Sequence, residues 1–214
     1  MVTMYDSVTP SAIPADAPIV AGYQDGIYRW PTNAWLMFPK ALHVGIVVKA
    51  SSNAGQVLDV ETGDALPSEA PGWVTMRRAA GQIRPTVYMN ASTWPAVRAA
   101  FVAAKVPEPD YWVAKYDGNP ALPPGAVAKQ YLGYPGGGSP GAYDVSSTDG
   151  VWPNPVPPPV LPEVLEDMGY ACVIAGGVLH VFGEVNGVAY HWFQPNPFPQ
   201  GHTPTWEVER LPTP

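Results

Sequence analysis

Eight short apolar or alternating segments, VTMYDSV, PIVAGYQ, HVGIVVKA, QVLDVE, RPTVYMN, YWVAKY, AVAKQYL and AYDVSS, recur with turn residues between them ahead of a proline-rich run at 153–162. Each is too short to bury its apolar side alone, so the segments must pair with one another as strands. HVGIVVKA is nearly continuous in apolar residues, which is how a strand buried on both faces of a parallel sheet reads. Strand, helix and strand alternate over 84–116, where STWPAVRAAFVAAK supplies the best helical pattern; Ser92 or Thr93 can cap it, and Trp94, Val97, Phe101 and Val102 form its apolar face. WVTMRRAA suggests a second helix. Eight strands in succession with so few helices predict an α/β fold: a small, helix-poor (β/α)8 TIM-like barrel, shorter than the ~200 residues such barrels usually need.

The proline run, PNPVPPPVLP, divides the chain. Six of its ten residues are proline, and as an extended, semi-rigid spacer it would span about 31 Å. The expected organisation is a barrel over 1–152, a linker over 153–162 and a C-terminal unit over 163–214. Ahead of residue 154 the chain carries 10 basic and 12 acidic residues, and from there on 1 basic and 6 acidic, so the small unit is the strongly acidic part. With 28 Pro and 21 Gly against only 14% charged residues the chain is rich in turns, yet 46% apolar residues, with 8 Trp and 11 Tyr among them, exclude general disorder. A net charge of -7, with no basic cluster beyond Arg77-Arg78, argues against a nucleic-acid groove. The opening MVTMYDSVTP has no signal-peptide pattern, and no apolar run reaches the ~18 residues of a membrane span. The single Cys172 excludes an intrachain disulfide.

Nucleophile and metal chemistry find little support. Cys172 lies within an apolar run, no Gly-x-Ser-x-Gly elbow occurs, and His43, His180, His191 and His202 lack zinc-ligand spacing. GYPGGGSPG at 133–141 precedes a strand instead of a helix, so it reads as a flexible loop and not a phosphate cradle. Neither a cofactor nor a metal is expected, although a calcium site on Asp59, Glu61 and Asp64 is a minor alternative.

Carboxylates within apolar strands are more informative, because an ionised group there is costly without a partner or a use. In VLDVETGD, Asp59 and Glu61 stand two apart, which on a strand puts both on one face near its C-terminal end. Asp6 in MYDSV and Asp144 in AYDVSS take the matching places on the first and last strands, which closure makes neighbours. Four carboxylates at one mouth raise one another's pKa and suit acid catalysis of glycoside cleavage. The bland alternative is an acidic strand end running into a solvated turn, and Tyr88, Trp94 and Trp112 can equally be core aromatics.

Taken in order, YDSV, VLDVETGD, RPTVYMN, YWVAKY, KQY and YDVSSTD resemble the strand motifs of glycoside hydrolase family 25 lysozymes and related phage lysin domains. The resemblance implies a β/α barrel cleaving peptidoglycan as an N-acetylmuramidase without a metal. By position, Glu61 matches the general acid, Asp6, Asp59 and Asp144 the supporting acids, and Tyr88, Trp112 and Gln130 the substrate groove. Lys129 stands where that family has Trp before the Gln-Tyr pair.

Beyond the spacer, GGVLHVFGEVNGVAYHWFQ followed by TWEVERL reads as an antiparallel meander with turns at Gly176-Gly177 and Asn186-Gly187. It resembles one blade of a β-propeller lectin. One blade is below the size at which a lone domain is stable, so a homo-oligomer built through this unit is expected. Barrel, spacer and blade together resemble modular lysins and tail proteins of bacteriophages. That resemblance implies a virion or extracellular location at the host cell wall, with cell-wall glycan and other virion or tail proteins as partners and no membrane or nucleic acid.

Overall fold

The structure is a computed structural model and describes residues 1–153 together with the strands at 171–175, 178–185, 188–193 and 207–210. The chain divides into two units, Met1–Val156 and Pro157–Pro214. Residues 154–170, most of the expected linker, lie outside the described residues, as do both expected turns of the C-terminal meander.

All eight expected strands form. They are β1 (Val2–Asp6), β2 (Ile19–Tyr23), β3 (Leu42–Val47), β4 (Val57–Asp59), β5 (Thr86–Asn90), β6 (Asp110–Ala114), β7 (Ala128–Leu132) and β8 (Asp144–Thr148), and they close into one barrel in sequence order. Helices are few: α1 (Ala70–Ala79) follows β4 and α2 (Trp94–Ala104) follows β5, while the β1–β2 and β2–β3 connections carry only 3-10 turns at Pro10–Ala12 and Thr32–Met37. The first unit is therefore helix-poor, as expected, but it is a closed eight-stranded β-barrel and not the α/β, TIM-like barrel that the strand and helix pattern predicted.

A second departure is strand direction. Neighbours from β1 through β7 pair in parallel, but β8 runs antiparallel to both β7 and β1. The glycine-rich 133–141 segment causes this, because it folds back on itself, with Gly133 N–H donating to the Gly137 carbonyl at 3.0 Å. The chain thus re-enters the barrel at the end where β7 left it.

Strand alternation sorts the side chains. Met4, Ile19, Ala21, Val44, Ile46, Val57, Tyr88, Trp112, Ala114 and Ala128 fill the interior. On the outside, Leu58, Val87, Met89, Tyr111 and Val113 are covered by Trp73 and Val74 of α1 and Val97 and Phe101 of α2. Where helices are missing, Trp30, Phe38, Ile13 and Ala34 from the loops cover Val20. Trp30 lies so close to the β2 backbone that a Cβ on Gly22 would fall 2.5 Å from its ring, so only glycine fits there. The α2 apolar face is narrower than expected, since Val102 is 73% exposed. Its first turn is held by neither expected cap: Asn90 Oδ1 accepts from Thr93 N–H at 2.9 Å and from the Ser92 and Thr93 hydroxyls at 2.6 and 3.0 Å.

In the second unit β9 (Ala171–Ala175), β10 (Val178–Val185), β11 (Val188–Phe193) and β12 (Glu207–Arg210) form the expected antiparallel sheet in the order β12-β11-β10-β9. Among the described residues no helix is long and apolar enough to cross a membrane.

Candidate functional site

Asp6 is the last residue of β1 and Asp144 the first of β8, and the two stand directly opposite in register. Asp144 was expected at a strand's C-terminal end. It reaches the same mouth from a strand's beginning because β8 is reversed. On β4 the alternation that turns Leu58 outward turns Asp59 inward, and Asp59 is 3% exposed. The strand ends there, so Glu61 does not share a strand face with Asp59; it lies in the following turn, half-buried and outside every side-chain hydrogen bond of the described residues.

Gln130 sits in the middle of β7, fully buried. Its Nε2 donates to Asp6 Oδ1 and Oδ2 at 3.2 and 3.1 Å and to Asp144 Oδ2 at 3.0 Å, while its Oε1 accepts the hydroxyls of Tyr88 at 2.6 Å and Tyr116 at 2.9 Å. Asp144 Oδ1 accepts the Tyr134 N–H at 2.6 Å. Trp112, expected in the substrate groove, is 1% exposed within the interior and donates its indole N–H to Ser146 Oγ at 3.0 Å. It packs edge-on against Tyr88 with ring centroids 4.7 Å apart and offers no surface to a ligand. Gln130 is likewise a buried bridge between carboxylates and not a groove residue.

Charge at this mouth has one sign. Burial, then the neighbouring Asp144, hold the Asp6 carboxyl well above the ordinary carboxylate range, with the Gln130 amide pulling the other way and Glu61 adding to the rise. Burial, then Glu61, Asp64 and Asp6, do the same to Asp59. Glu61 is raised by burial, then Asp64 and Asp144, and Asp144 by burial against the opposing bonds from Tyr134 N–H and Gln130. None of the ion pairs among the described residues involves any of the four. Asp59 Oδ1 is buried with no hydrogen-bond partner. The site also includes Tyr23 and Tyr116, which sequence reading left out; burial raises both phenols, Tyr116 to about 12. Tyr116 stood within the YWVAKY segment, but nothing in that segment marks it as the residue that folds back over the mouth.

A raised carboxyl gives the folded state a proton that the unfolded chain has already released. Stability from these groups is therefore greatest below the ordinary carboxylate value of about 4 and declines as pH rises from there through the raised folded values. Asp117 has the opposite sign: hydrogen bonds from Lys129, then Asn119 N–H and Lys115, depress its carboxyl, so its contribution is present at neutral pH and lost on acidification. Asp59→Asn removes an unpartnered buried acid. It is expected to raise Tm at pH 7 and to flatten the decline of Tm between pH 4 and 8. Equal destabilisation at both ends of that range would show that the Asp59 side chain is structurally required whatever its protonation.

Exposed apolar and aromatic side chains rim the acidic mouth: Val8 after β1, Ile27 and Tyr28 after β2, Leu66 after β4, Tyr116 after β6 and Tyr134 after β7. Cavities of about 370 and about 300 Å³ lie elsewhere, on the outside of the barrel beside Trp94, and neither is lined by a mouth carboxylate. Among the described residues no three His, Cys, Asp or Glu side chains converge closely enough to hold a metal ion.

No family model, curated protein or solved structure matches the chain.

Proposed function

We propose that the barrel is a peptidoglycan-directed glycoside hydrolase of the muramidase type, a shortened relative of the β/α-barrel lysozymes that its strand motifs resemble, and of bacteriophage origin. The observation that carries this reading is the set of four carboxylates at one mouth with no ion-pair partner among the described residues, with Glu61, one of the two that are only partly buried, raised toward the protonated form. Protonated Glu61 gives its proton to the glycosidic oxygen as the bond from that oxygen to the anomeric carbon breaks. Positive charge develops on the sugar and is stabilised by Asp144, which like Glu61 is only partly buried, whereas Asp59 is buried. A substrate N-acetyl group can present its acetyl oxygen to the anomeric carbon as the glycosidic oxygen leaves, and water then opens the resulting ring, giving its proton to the Glu61 carboxylate, without a covalent link to the protein. Dye release from labelled peptidoglycan, read in parallel for the wild type and Glu61→Gln, tests the assignment.

The second reading is a non-catalytic virion or tail protein that holds glycan, or a neighbouring subunit, on the same mouth. The filled interior favours it: Tyr88, Gln130 and Trp112 close the floor beneath the carboxylates, and the two cavities beside Trp94 open away from them. Binding of the wild type to peptidoglycan without dye release would select this reading.

Under either reading the C-terminal unit is proposed to join copies of the chain, giving several barrels avidity for a repetitive wall. A light-scattering mass above the 22.9 kDa of one chain is expected at micromolar concentration. A monomer would remove the shared-blade proposal.

A further inference from the structure

We propose that Gln130 is the positioning residue of the mouth: its amide holds the Asp6 and Asp144 carboxylates as separate hydrogen-bond acceptors, and its carbonyl ties the loop bearing Tyr116 to them. The proposal deepens the hydrolase reading and takes its chemistry from it, but its geometry stands alone.

An amide –NH2 has two protons and no acceptor capacity, whereas its oxygen accepts two bonds. At Gln130 every one is used. One N–H is shared by both oxygens of Asp6, the other goes to Asp144, and the oxygen takes the Tyr88 and Tyr116 hydroxyls. Asp6 and Asp144 face each other across paired strands, and two such carboxyls left alone share a proton directly. The amide stands between them as a neutral donor to both. No carboxylate or ammonium group at this position could serve all four partners.

The same stretch of β7 controls the loop after β6 from both sides, because neighbouring residues of a strand face opposite ways. Inside, Gln130 Oε1 holds the Tyr116 hydroxyl. Outside, Lys129, only 4% exposed, donates to Asp117 Oδ1 and the Asn119 carbonyl, both at 2.7 Å. Tyr116 itself is 51% exposed, so its ring forms part of the lip while its hydroxyl reaches the floor. The ring lies against Gly133 at the root of the glycine-rich loop, where a Cβ would fall 2.7 Å from it. The β6–β7 and β7–β8 loops therefore meet at Tyr116 and are both referred to Gln130. That explains why Lys can stand at 129 where the resembling family has Trp: position 129 faces away from the mouth and serves as a loop anchor.

The titratable groups facing the amide are Asp6 on β1, Tyr88 on β5, Tyr116 after β6 and Asp144 on β8. Glu61 after β4 stands next to these, and Asp59 and Tyr23 lie further round the mouth. Removing the amide takes from Asp6 and Asp144 their shared donor and breaks no hydrogen bond of Asp59, which feels the change only through the charge of Asp6.

The test is a carboxyl-carbon NMR titration of the full chain, wild type against Gln130→Met, an apolar side chain of similar length. The Asp6–Asp144 pair is expected to move its upper midpoint upward by about one pH unit or more on losing that hydrogen bond, with Asp59, which feels the change only through the charge of Asp6, moving less. Unchanged midpoints for Asp6 and Asp144 in a folded variant overturn the proposal. If Gln130→Met does not fold, Gln130→Asn retains the amide on a shorter arm and is read the same way. Tyr116→Phe is expected to speed amide exchange in residues 115–119 at least tenfold while leaving both aspartates at wild-type midpoints; wild-type exchange removes the loop linkage. None of these readouts needs glycan cleavage. A chain that cleaves nothing yet shows the titration shift retires the hydrolase reading and keeps Gln130, whereas an active chain with no shift does the reverse.

Discussion

If the barrel is the hydrolase proposed, Glu61→Gln is expected to lower glycan cleavage by about two to four orders of magnitude, the range over which a positioned general acid acts. Its cost in stability is expected to stay within about 0.5 kcal/mol, as for substitutions that break no packing or hydrogen bond. Glu61 makes no side-chain hydrogen bond among the described residues and is only half-buried, so the amide replaces it without an orphaned partner. What the amide cannot do is release a proton. The surrounding charge makes that proton available: Asp64 and Asp144 add to burial in holding the Glu61 carboxyl above its ordinary value, so a larger fraction is protonated in mildly acidic solution. Activity should therefore fall as pH rises through the raised Glu61 value. Cleavage by Glu61→Gln at the wild-type rate would remove Glu61 from the proton-donor role. A wild type that binds glycan and never cleaves it would move the whole mouth to the second reading.

The strands were legible because each carries its own evidence. A run such as HVGIVVKA is apolar on both faces, and turn residues bracket it, so its existence needs no tertiary information. Direction was not legible at β8. Sequence alternation is the same for a parallel and an antiparallel strand, and only the inward fold of 133–141 decides between them. Asp144 reached the expected mouth through a strand direction that was not expected. The carboxylates were legible for a related reason: acids in apolar runs stand out against their neighbours. Gln130 and Trp112 were visible as polar and aromatic residues in strands, but whether such a residue faces a ligand or closes the floor depends on what fills the barrel beneath it. That filling comes from a residue far away in sequence.

The residue is Trp152, and Trp152→Ala is expected to destabilise the barrel by about 3–5 kcal/mol. In sequence it follows Asp149-Gly150 and precedes the proline run, which marks it as the edge of a linker. In the structure it is 1% exposed and packed with Met4, Ile19, Val57 and Trp112. Its indole N–H donates to Thr86 Oγ1 at 2.8 Å, and its backbone N–H is held by Asp149 Oδ1 at 2.7 Å. Ile19, Val57 and Thr86 are each the first residue of a strand, so Trp152 plugs the end of the barrel opposite the mouth. From it a continuous column runs upward. The Trp152 and Trp112 rings are 6.1 Å apart, Trp112 meets Tyr88, the Tyr88 hydroxyl meets Gln130, and Gln130 meets Asp6 and Asp144. Alanine at 152 leaves an indole-sized void below Trp112, so the whole column loses its footing. Trp152→Phe keeps most of the packing and gives up one hydrogen bond, so it is expected to cost about 1 kcal/mol beyond the lost volume. Urea unfolding of the two variants measures this, with the midpoint shifting and the slope constant. A loss below about 1 kcal/mol for Trp152→Ala would mean that the barrel closes without its plug. If the plug holds the floor as the column implies, Trp152→Ala also disturbs the Asp6 and Asp144 titrations from the far end of the barrel, at temperatures where the protein is still folded.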